Sequence, residues 1–184
     1  MSALSTLTIN QGENIQNFSI RRDWATAGGG ADITDFTGPD FTAFGCGPFG
    51  AIDQSLGTGW GSTSDGAKFI VIKLPQPVDL TQFAVDPNAT CGDGASASTK
   101  DYKIETSTDG VNFAVSNQGS FPSDRSAKGH LNPLPVAAGT GDNVQYVKFT
   151  MLTPNLLPTQ VCPGPFSGCD FMDMSEIEVY GIVS

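Results

Sequence analysis

The sequence predicts an all-β fold, an antiparallel β-sandwich, on three observations. No stretch carries the long 3.6-residue apolar period of an amphipathic helix. Short apolar or alternating runs recur instead, and Gly, Pro and Asp clusters separate them. The 184 residues include 22 Gly and 12 Pro but only 15% charged residues, which is typical of a loop-rich β protein. A chain of this length can bury one core, so we expect a single domain over residues 1–184 with a core of about 14–181.

At least seven short strands are expected, and their patterns differ in strength. The clearest are Lys68–Leu74, Gln82–Val85, Tyr102–Thr106, the strand with Val147, Phe149 and Met151, and the strand with Ile177 and Val179. Asn14–Trp24 is a candidate for one more strand near the N-terminus. Pro75 closes the run Lys68–Leu74, so we expect that strand to be separate from Gln82–Val85. Asp109-Gly110 predicts a hairpin whose second strand includes Val111–Phe113. Strands with this punctuation predict a β-sandwich.

The charge balance excludes two classes of partner. Nine Lys and Arg face 19 Asp and Glu, for a net charge of −10. Such a chain repels phosphate backbones, which argues against nucleic-acid binding, and it is disfavoured at anionic membrane surfaces. No apolar run reaches the roughly 20 residues of a membrane-spanning helix, so no transmembrane segment is expected.

The four cysteines favour disulfides over a metal site. They lack CxxC spacing and the chain has one histidine, so a structural zinc site is poorly supported. Of the three possible pairings, we favour Cys162 with Cys169, since they flank the turn-rich PGPFSG, and this leaves Cys46 with Cys91. Two disulfides predict a secreted, extracellular protein. The alternative is four buried free thiols in a cytosolic protein.

Two distant segments carry the oxygen ligands that hard cations prefer. Ala51–Trp60, AIDQSLGTGW, places an aspartate and a threonine in a glycine-containing loop, and Ser175–Gly181, SEIEVYG, opens a strand with Glu176. Carboxylates, hydroxyls and backbone carbonyls are the ligands of Ca²⁺, and a shared ion would join the two ends of the domain. The alternative is a polar turn in which Asp53 caps the backbone and Thr58 bonds locally.

Three irregular segments interrupt the strands: Ala27–Gly50, Asn88–Lys100 and Pro154–Phe171. Long loops in a compact domain are usually functional or disordered, and the predicted disulfides reach all three, which argues against disorder. The crosslinks and the shared ion together predict that these loops meet at one end of the sandwich.

The chain resembles a known family in five segments that occur in a fixed order: AIDQSLGTGW, FIVIKLPQPVDLTQFAVDP, DYKIETSTDGVNF, YVKFTML and SEIEVYG. They are similar to the discoidin, or coagulation-factor-5/8 type C, family of galactose-binding-like domains, which includes the family 32 carbohydrate-binding modules. The segments VDPNATCGDGASAS and CPGPFSGCDFMDMSEIEVYG resemble more closely the module that follows fungalysin-type metallopeptidases in secreted bacterial proteins. The resemblance implies an eight-stranded antiparallel jelly-roll sandwich.

The resemblance also implies a structural calcium ion. Its ligands fall on two carboxylates, one hydroxyl and three backbone carbonyls, at Asp53, Glu176, Thr58, Gly50, Leu56 and Ser175.

Ligands of the family bind to the loops at one end of the sandwich, through an aromatic or apolar platform and a few polar groups. The residues that we expect to contact a ligand are Phe41, Phe44, Phe166, Asp40 and Asp93. Further candidates are Phe36, Phe171, Asn88 and Asp170. Carbohydrate-binding relatives commonly expose Trp or Tyr with Arg or His, whereas these loops contain no Trp or Tyr. The alternative for each Phe is a satellite core beneath a long loop.

We therefore expect a non-catalytic extracellular module that attaches a secreted hydrolase to a glycan or cell-surface ligand. The sequence contains no His-Glu-x-x-His motif, and no catalytic residues are assigned. The alternative is a structural module that packs against a catalytic domain, or binds protein or lipid through its loop tips. An exposed aromatic ring with converging polar groups would favour the first function, and a broad apolar patch the second.

Overall fold

The computed structural model describes residues 22–156 and 161–183, which form an antiparallel β-sandwich. This confirms the predicted fold class. Most of the expected strand Asn14–Trp24 lies outside the described residues, and Arg22–Asp23 near its end forms β1. None of the described helices has the length and apolarity to cross a membrane.

Ten strands are found in these two ranges, where the resemblance implied eight. They are β1 (Arg22–Asp23), β2 (Asp32–Phe36), β3 (Trp60–Thr63), β4 (Lys68–Asp86), β5 (Thr99–Ser107), β6 (Ala114–Ser120), β7 (Asn132–Pro135), β8 (Val144–Pro154), β9 (Phe171–Met174) and β10 (Glu176–Ile182). Short 3-10 helices lie in the loops, at Ala27–Gly29, Thr42–Phe44, Pro48–Ile52, Ala95–Ala97 and Arg125–Ala127.

Strand β4 links the two layers of the sandwich. The sequence predicted two separate strands here, but the structure has one strand of 19 residues. Its first half pairs with β2 and β8, and its second half pairs with β10 and β7. The register with β8 shifts between Lys73 and Val78, around Pro75 and Pro77. Because proline has no N–H to donate, it interrupts the ladder without ending the extended chain, and β4 passes from one layer to the other.

The two layers are therefore β2-β4-β8-β5-β6 and β1-β10-β4-β7, with a separate β3-β9 ladder. The predicted hairpin joins β5 to β6, but the prediction that Val111–Phe113 begins its second strand was wrong. The carboxylate of Asp109 accepts hydrogen bonds from the N–H groups of Val111 and Asn112, both at 2.8 Å. These donors are therefore used in the turn, and β6 begins at Ala114.

The core lies between the layers and confirms the alternation predicted for β8 and β10. Val147, Phe149 and Met151 are fully buried, as are Ile177 and Val179. Further fully buried side chains come from β3, β4, β5 and β9: Trp60, Ile70, Ile72, Leu74, Phe83, Val85, Ile104, Met172 and Met174.

The three irregular loops meet at one end of the sandwich, as the sequence predicts. Cys46 and Cys91 form a disulfide with a Cα–Cα distance of 5.7 Å, which joins the first loop to the second. The N–H of Gly94 donates to the carbonyl of Phe166 at 2.7 Å, which joins the second loop to the third. Glu176, the first residue of β10, pairs with Asp86 at the end of β4, and so lies at this end as well.

Candidate functional site

The loop Ala51–Trp60 brings Asp53 and Thr58 together. The hydroxyl of Thr58 donates to the carboxylate of Asp53, at 3.0 Å from Oδ1 and 2.8 Å from Oδ2. Asp53 Oδ1 also accepts from the N–H of Ser55 at 3.0 Å. The local capping that the sequence offered as an alternative is therefore present. It also places three side-chain oxygens side by side on one short loop.

Glu176 reaches this loop from β10. The side chain is 1% exposed, and Oε2 accepts a hydrogen bond from the N–H of Gln54 at 3.1 Å. Gln54 has a φ of 64°, an uncommon conformation that a functional loop can hold. Oε1 of Glu176 is buried and has no hydrogen-bond partner among the described residues. Burial, together with the negative charge of Asp53, raises the pKa of Glu176 to about 9. We call Asp53, Thr58, Glu176 and the Ala51–Trp60 backbone the cradle.

Close backbone contact holds the cradle together. A Cβ atom at Gly50 would lie 2.4 Å from the carbonyl oxygen of Gly59, and one at Gly59 would lie 2.3 Å from that of Met174. Only glycine fits such an approach, so the loop lies directly against the junction of β9 and β10 at Ser175. Gly50 and Leu56, the other two residues predicted to supply backbone carbonyls, lie on the loop that makes this contact, and Ser175 lies on the strand side.

Asp23 is a neighbour of the cradle that the sequence analysis missed. Its Oδ1 accepts from the N–H groups of Ala25 and Val179, both at 2.9 Å, and its Oδ2 is buried without a partner. Its charge contributes to the raised pKa of Glu176. Among the described residues, no group of three or more His, Cys, Asp or Glu side chains has a metal-binding arrangement. The side-chain oxygens of the cradle therefore come from the carboxylates of Asp53 and Glu176 and the hydroxyl of Thr58, and its backbone supplies carbonyl oxygens.

An aromatic groove of about 310 Å³ lies at the same end. Four phenylalanine rings, one carboxylate, a glycine and the first disulfide line it: Phe41, Phe44, Phe166, Phe171, Asp93, Gly61, Cys46 and Cys91. Four of the five residues predicted to contact a ligand are in this set. The exception is Asp40, which accepts from the N–H of Thr42 at 2.8 Å and so holds the 3-10 helix that carries Phe44.

The four rings form a connected series with different exposures. Phe41 contacts Phe44 and Phe171 edge to face, with ring centroids 6.3 and 6.0 Å apart. Phe166 stacks on Phe171 with an interplanar angle of 8°. Phe44 is 80% exposed and Phe166 is 60% exposed, whereas the two inner rings are half-buried. The satellite-core alternative therefore describes Phe41 and Phe171, while the outer rings face solvent.

A buried carboxylate, Asp173, lies behind the groove. Its Oδ2 accepts from the N–H of Thr90 at 3.1 Å, and a Cβ atom built on Gly61 would lie 3.0 Å from its Oδ1. Among the described residues no donor reaches Oδ1, and the carboxyl group of Asp93 is a close neighbour of Asp173. Burial raises the pKa of both carboxyls, and the neighbouring negative charge of Asp93 adds to the effect on Asp173.

Asp173 was missed because an aspartate in an alternating strand resembles a solvent-facing residue. The further candidates Phe36, Asn88 and Asp170 do not line the groove. Phe36 packs against the core, and Asn88 lines a separate pocket with Arg125, Lys128 and Gly129. Asp170 is exposed, and its charge acts on Asp93. The second predicted disulfide, Cys162–Cys169, closes the loop that carries Phe166, with a Cα–Cα distance of 5.9 Å.

The fold agrees with the comparison to protein families. The F5/8 type C domain model matches residues 38–159, so the chain belongs to the F5/8 type C domain family. No curated protein sequence matches the chain.

Solved structures of family 32 carbohydrate-binding modules (CBM32) from Clostridium perfringens share the fold. CBM32-3 from a family 31 glycoside hydrolase is 22% identical with a TM-score of 0.61, over 88% of this chain and 94% of that one. The module of NanJ, in complex with galactose, is 16% identical with a TM-score of 0.60, over 88% and 99%. CpGH89CBM32-5, in complex with GalNAc-β-1,3-galactose, is 20% identical with a TM-score of 0.57, over 81% and 92%.

Proposed function

We propose that this domain is a non-catalytic extracellular module that binds glycans in the aromatic groove. One observation carries the proposal: two solvent-facing rings, Phe44 and Phe166, and one carboxylate, Asp93, converge on a single groove. Structural neighbours that hold galactose and GalNAc-β-1,3-galactose support the same class of ligand. The resemblance to the fungalysin-associated module favours a secreted hydrolase as the parent protein.

The groove has the parts that sugar recognition requires. The apolar C–H face of a pyranose can pack on an exposed ring, and a volume of about 310 Å³ is at the lower end of common ligand pockets. Sugar hydroxyls can donate to the carboxylate of Asp93, which is a charge-assisted hydrogen bond. The disulfide Cys46–Cys91 holds two walls of the groove together before a ligand arrives, which reduces the entropic cost of binding.

The cradle fits a structural calcium ion. The orphaned, buried Oε1 of Glu176 and the paired oxygens of Asp53 and Thr58 are the hard ligands that calcium prefers. Gly50, Leu56 and Ser175 would add backbone carbonyls. A bound ion would neutralise Glu176, whose burial otherwise favours the protonated form. It would thereby hold β10 against the loop that leads to β3.

Truncation of an outer ring tests the groove. Phe44→Ala and Phe166→Ala should each weaken glycan binding by about 5- to 30-fold, because one stacked ring contributes about 1–2 kcal/mol. The melting temperature should hardly change, since both rings are largely exposed. A glycan array would identify the ligand, and titration calorimetry would then measure the affinities.

Phe49→Ala is the matched control, since Phe49 is 50% exposed but does not line the groove. It should leave glycan affinity unchanged. Full affinity in both groove variants would disprove the proposed site.

The second candidate is an interaction module that packs on a catalytic domain, or binds protein or lipid through loop tips. Exposed apolar side chains near this end favour it: Phe44, Phe49, Leu56, Val161 and Phe166. Binding to lipid vesicles or to the parent catalytic domain that weakens equally in Phe44→Ala and Phe49→Ala, without glycan binding, would support this function instead.

A further inference from the structure

The groove combines exposed rings with negative charge and has no basic lining. Asp93 lines it, and the exposed Asp170 adds its negative charge to the surroundings of Asp93. None of the described residues that line the groove is Lys, Arg or His. Its surface therefore offers acceptors for hydrogen bonds and no cation for an acidic ligand.

Basic residues of this part of the molecule are placed elsewhere. Arg125 and Lys128 line a separate pocket with Asn88, and Lys68 forms an ion pair with Asp65 at 2.6 Å. Nothing described in the groove could pair with a carboxylate or sulfate group on a sugar. The chain's net charge of −10 adds a long-range repulsion against such ligands.

A positively charged group on the ligand would be attracted to the groove. An ammonium group can donate to the carboxylate of Asp93 in a charge-assisted hydrogen bond. It can also lie against the face of an aromatic ring, where the ring quadrupole attracts a cation. Phe44 and Phe166 expose such rings in the same groove.

We propose that the groove selects glycans that carry free amino groups, such as glucosamine oligomers, over their neutral N-acetylated counterparts and over acidic glycans. This inference rests on the proposed function, since it names the ligand class of the same groove. The carboxylate of Asp93 is the residue that sets the preference, and the exposed rings bind the sugar faces that the three glycan types share.

Three short oligosaccharides with one type of linkage test the selection. Tetramers of β-1,4-linked glucosamine, N-acetylglucosamine and glucuronic acid would be titrated calorimetrically into the whole domain. The measurement would use a buffer only slightly below neutral pH, because the sugar amines must be protonated while Asp93, whose pKa is raised by burial, must stay ionised. About 0.15 M salt would screen long-range attraction. We expect the glucosamine tetramer to bind about tenfold or more tightly than the N-acetylated tetramer, and the glucuronate tetramer to bind most weakly.

Two variants separate a groove contact from general attraction to an acidic protein. Asp93→Asn keeps the shape and an acceptor oxygen but removes the charge, so it should weaken the glucosamine tetramer much more than the neutral tetramer and thereby remove the preference for the amine. Asp142→Asn makes the same charge change at an exposed aspartate outside the groove, and should keep the preference.

Equal loss in both variants, equal affinity for the amine and N-acetyl forms, or tightest binding of the glucuronate form would each overturn the inference. In each of these cases, binding of some tetramer that is sensitive to Phe44→Ala would leave the groove as a glycan site. Absence of binding by all three, and of any hit on a glycan array, would overturn the proposed function as well.

Discussion

The cradle and the aromatic groove lie at the same end of the sandwich, and each is backed by a buried carboxyl group. Glu176 Oε1 and Asp173 Oδ1 both lack a donor from another residue. The cradle draws its side chains from one short loop and the start of one strand, whereas the groove draws its lining from three loops and from β3 and β9. The surroundings of the two carboxyls also differ, because Glu176 lies near Asp53 and Thr58, whereas Asp173 lies beside Asp93, behind a groove lined with aromatic rings.

This difference shows how the surroundings of a buried acid decide what can satisfy it. A buried carboxylate must be neutralised by a proton or paired with a cation. In the cradle, Asp53 and the hydroxyl of Thr58 lie near the buried Glu176, and these are the oxygen ligands that the proposed calcium ion would use. Behind the groove, burial and the neighbouring charge of Asp93 raise the pKa of Asp173 and favour its protonated form, and the rings in front provide a surface for an organic ligand.

The largest expected effect concerns the two disulfides, both of which support the groove and neither of which lies in the cradle. Cys46–Cys91 spans 45 residues and Cys162–Cys169 spans 7. Chain entropy predicts that replacing the first pair by serine lowers the free energy of unfolding by about 4 kcal/mol, and replacing the second by about 2.5 kcal/mol. Denaturant unfolding of the two double variants would measure this.

The first double variant should also lose glycan binding, because the disulfide forms part of the groove wall. Its response to calcium should remain, since the cradle contains neither cysteine. If the variant lost both glycan binding and its response to calcium, the groove and the cradle would depend on each other.

A slightly smaller effect is expected from removal of calcium. An ion that binds only the folded state stabilises it by about 3–4 kcal/mol when its concentration is 100 to 1,000 times Kd, so excess chelator should lower the melting temperature by several degrees. In Glu176→Gln the chelator should have no effect. Glu178→Gln, on the same strand but partly exposed, should respond like the unaltered protein. Thermal unfolding with and without chelator decides this, and identical curves for the unaltered protein would contradict the ion.

The smallest effect concerns Asp40 and Asp53, which have matching local bonds. Each accepts hydrogen bonds from the backbone N–H two residues later and from a threonine hydroxyl. Asp40 has no partner like Glu176, so its role is to hold the helix that carries Phe44. Asp40→Ala should weaken glycan binding only about two- to threefold and leave the chelator response unchanged. Asp53→Ala should abolish the chelator response and leave glycan affinity unchanged. If both variants changed the same property, the assignment of Asp40 to the groove and of Asp53 to the cradle would be wrong.

Local patterns in the sequence predicted a large part of this molecule. The alternation of Val147, Phe149 and Met151 predicted a buried strand face, because side chains of a strand point to opposite faces with a period of two. The turn-rich hexapeptide between Cys162 and Cys169 favoured the pairing that the structure contains. Asp53 and Thr58 lie five residues apart, so loop chemistry alone was enough to bring them together.

Tertiary structure decided the features that depend on distant segments. The prolines of β4 predicted a break, but pairing with both layers keeps the strand continuous. Asp93 lines the groove and Asp40 does not, although both are loop aspartates.

By itself, the sequence determined the fold class, the alternation within strands and the side chains available at the loop end. Only the packed structure decided that Asp173 and Asp23 are buried and that Phe44 and Phe166 face solvent. The physical reason is that periodicity and turn chemistry act over a few neighbouring residues. Exposure and electrostatic surroundings are set by whichever remote strands and loops pack against a side chain.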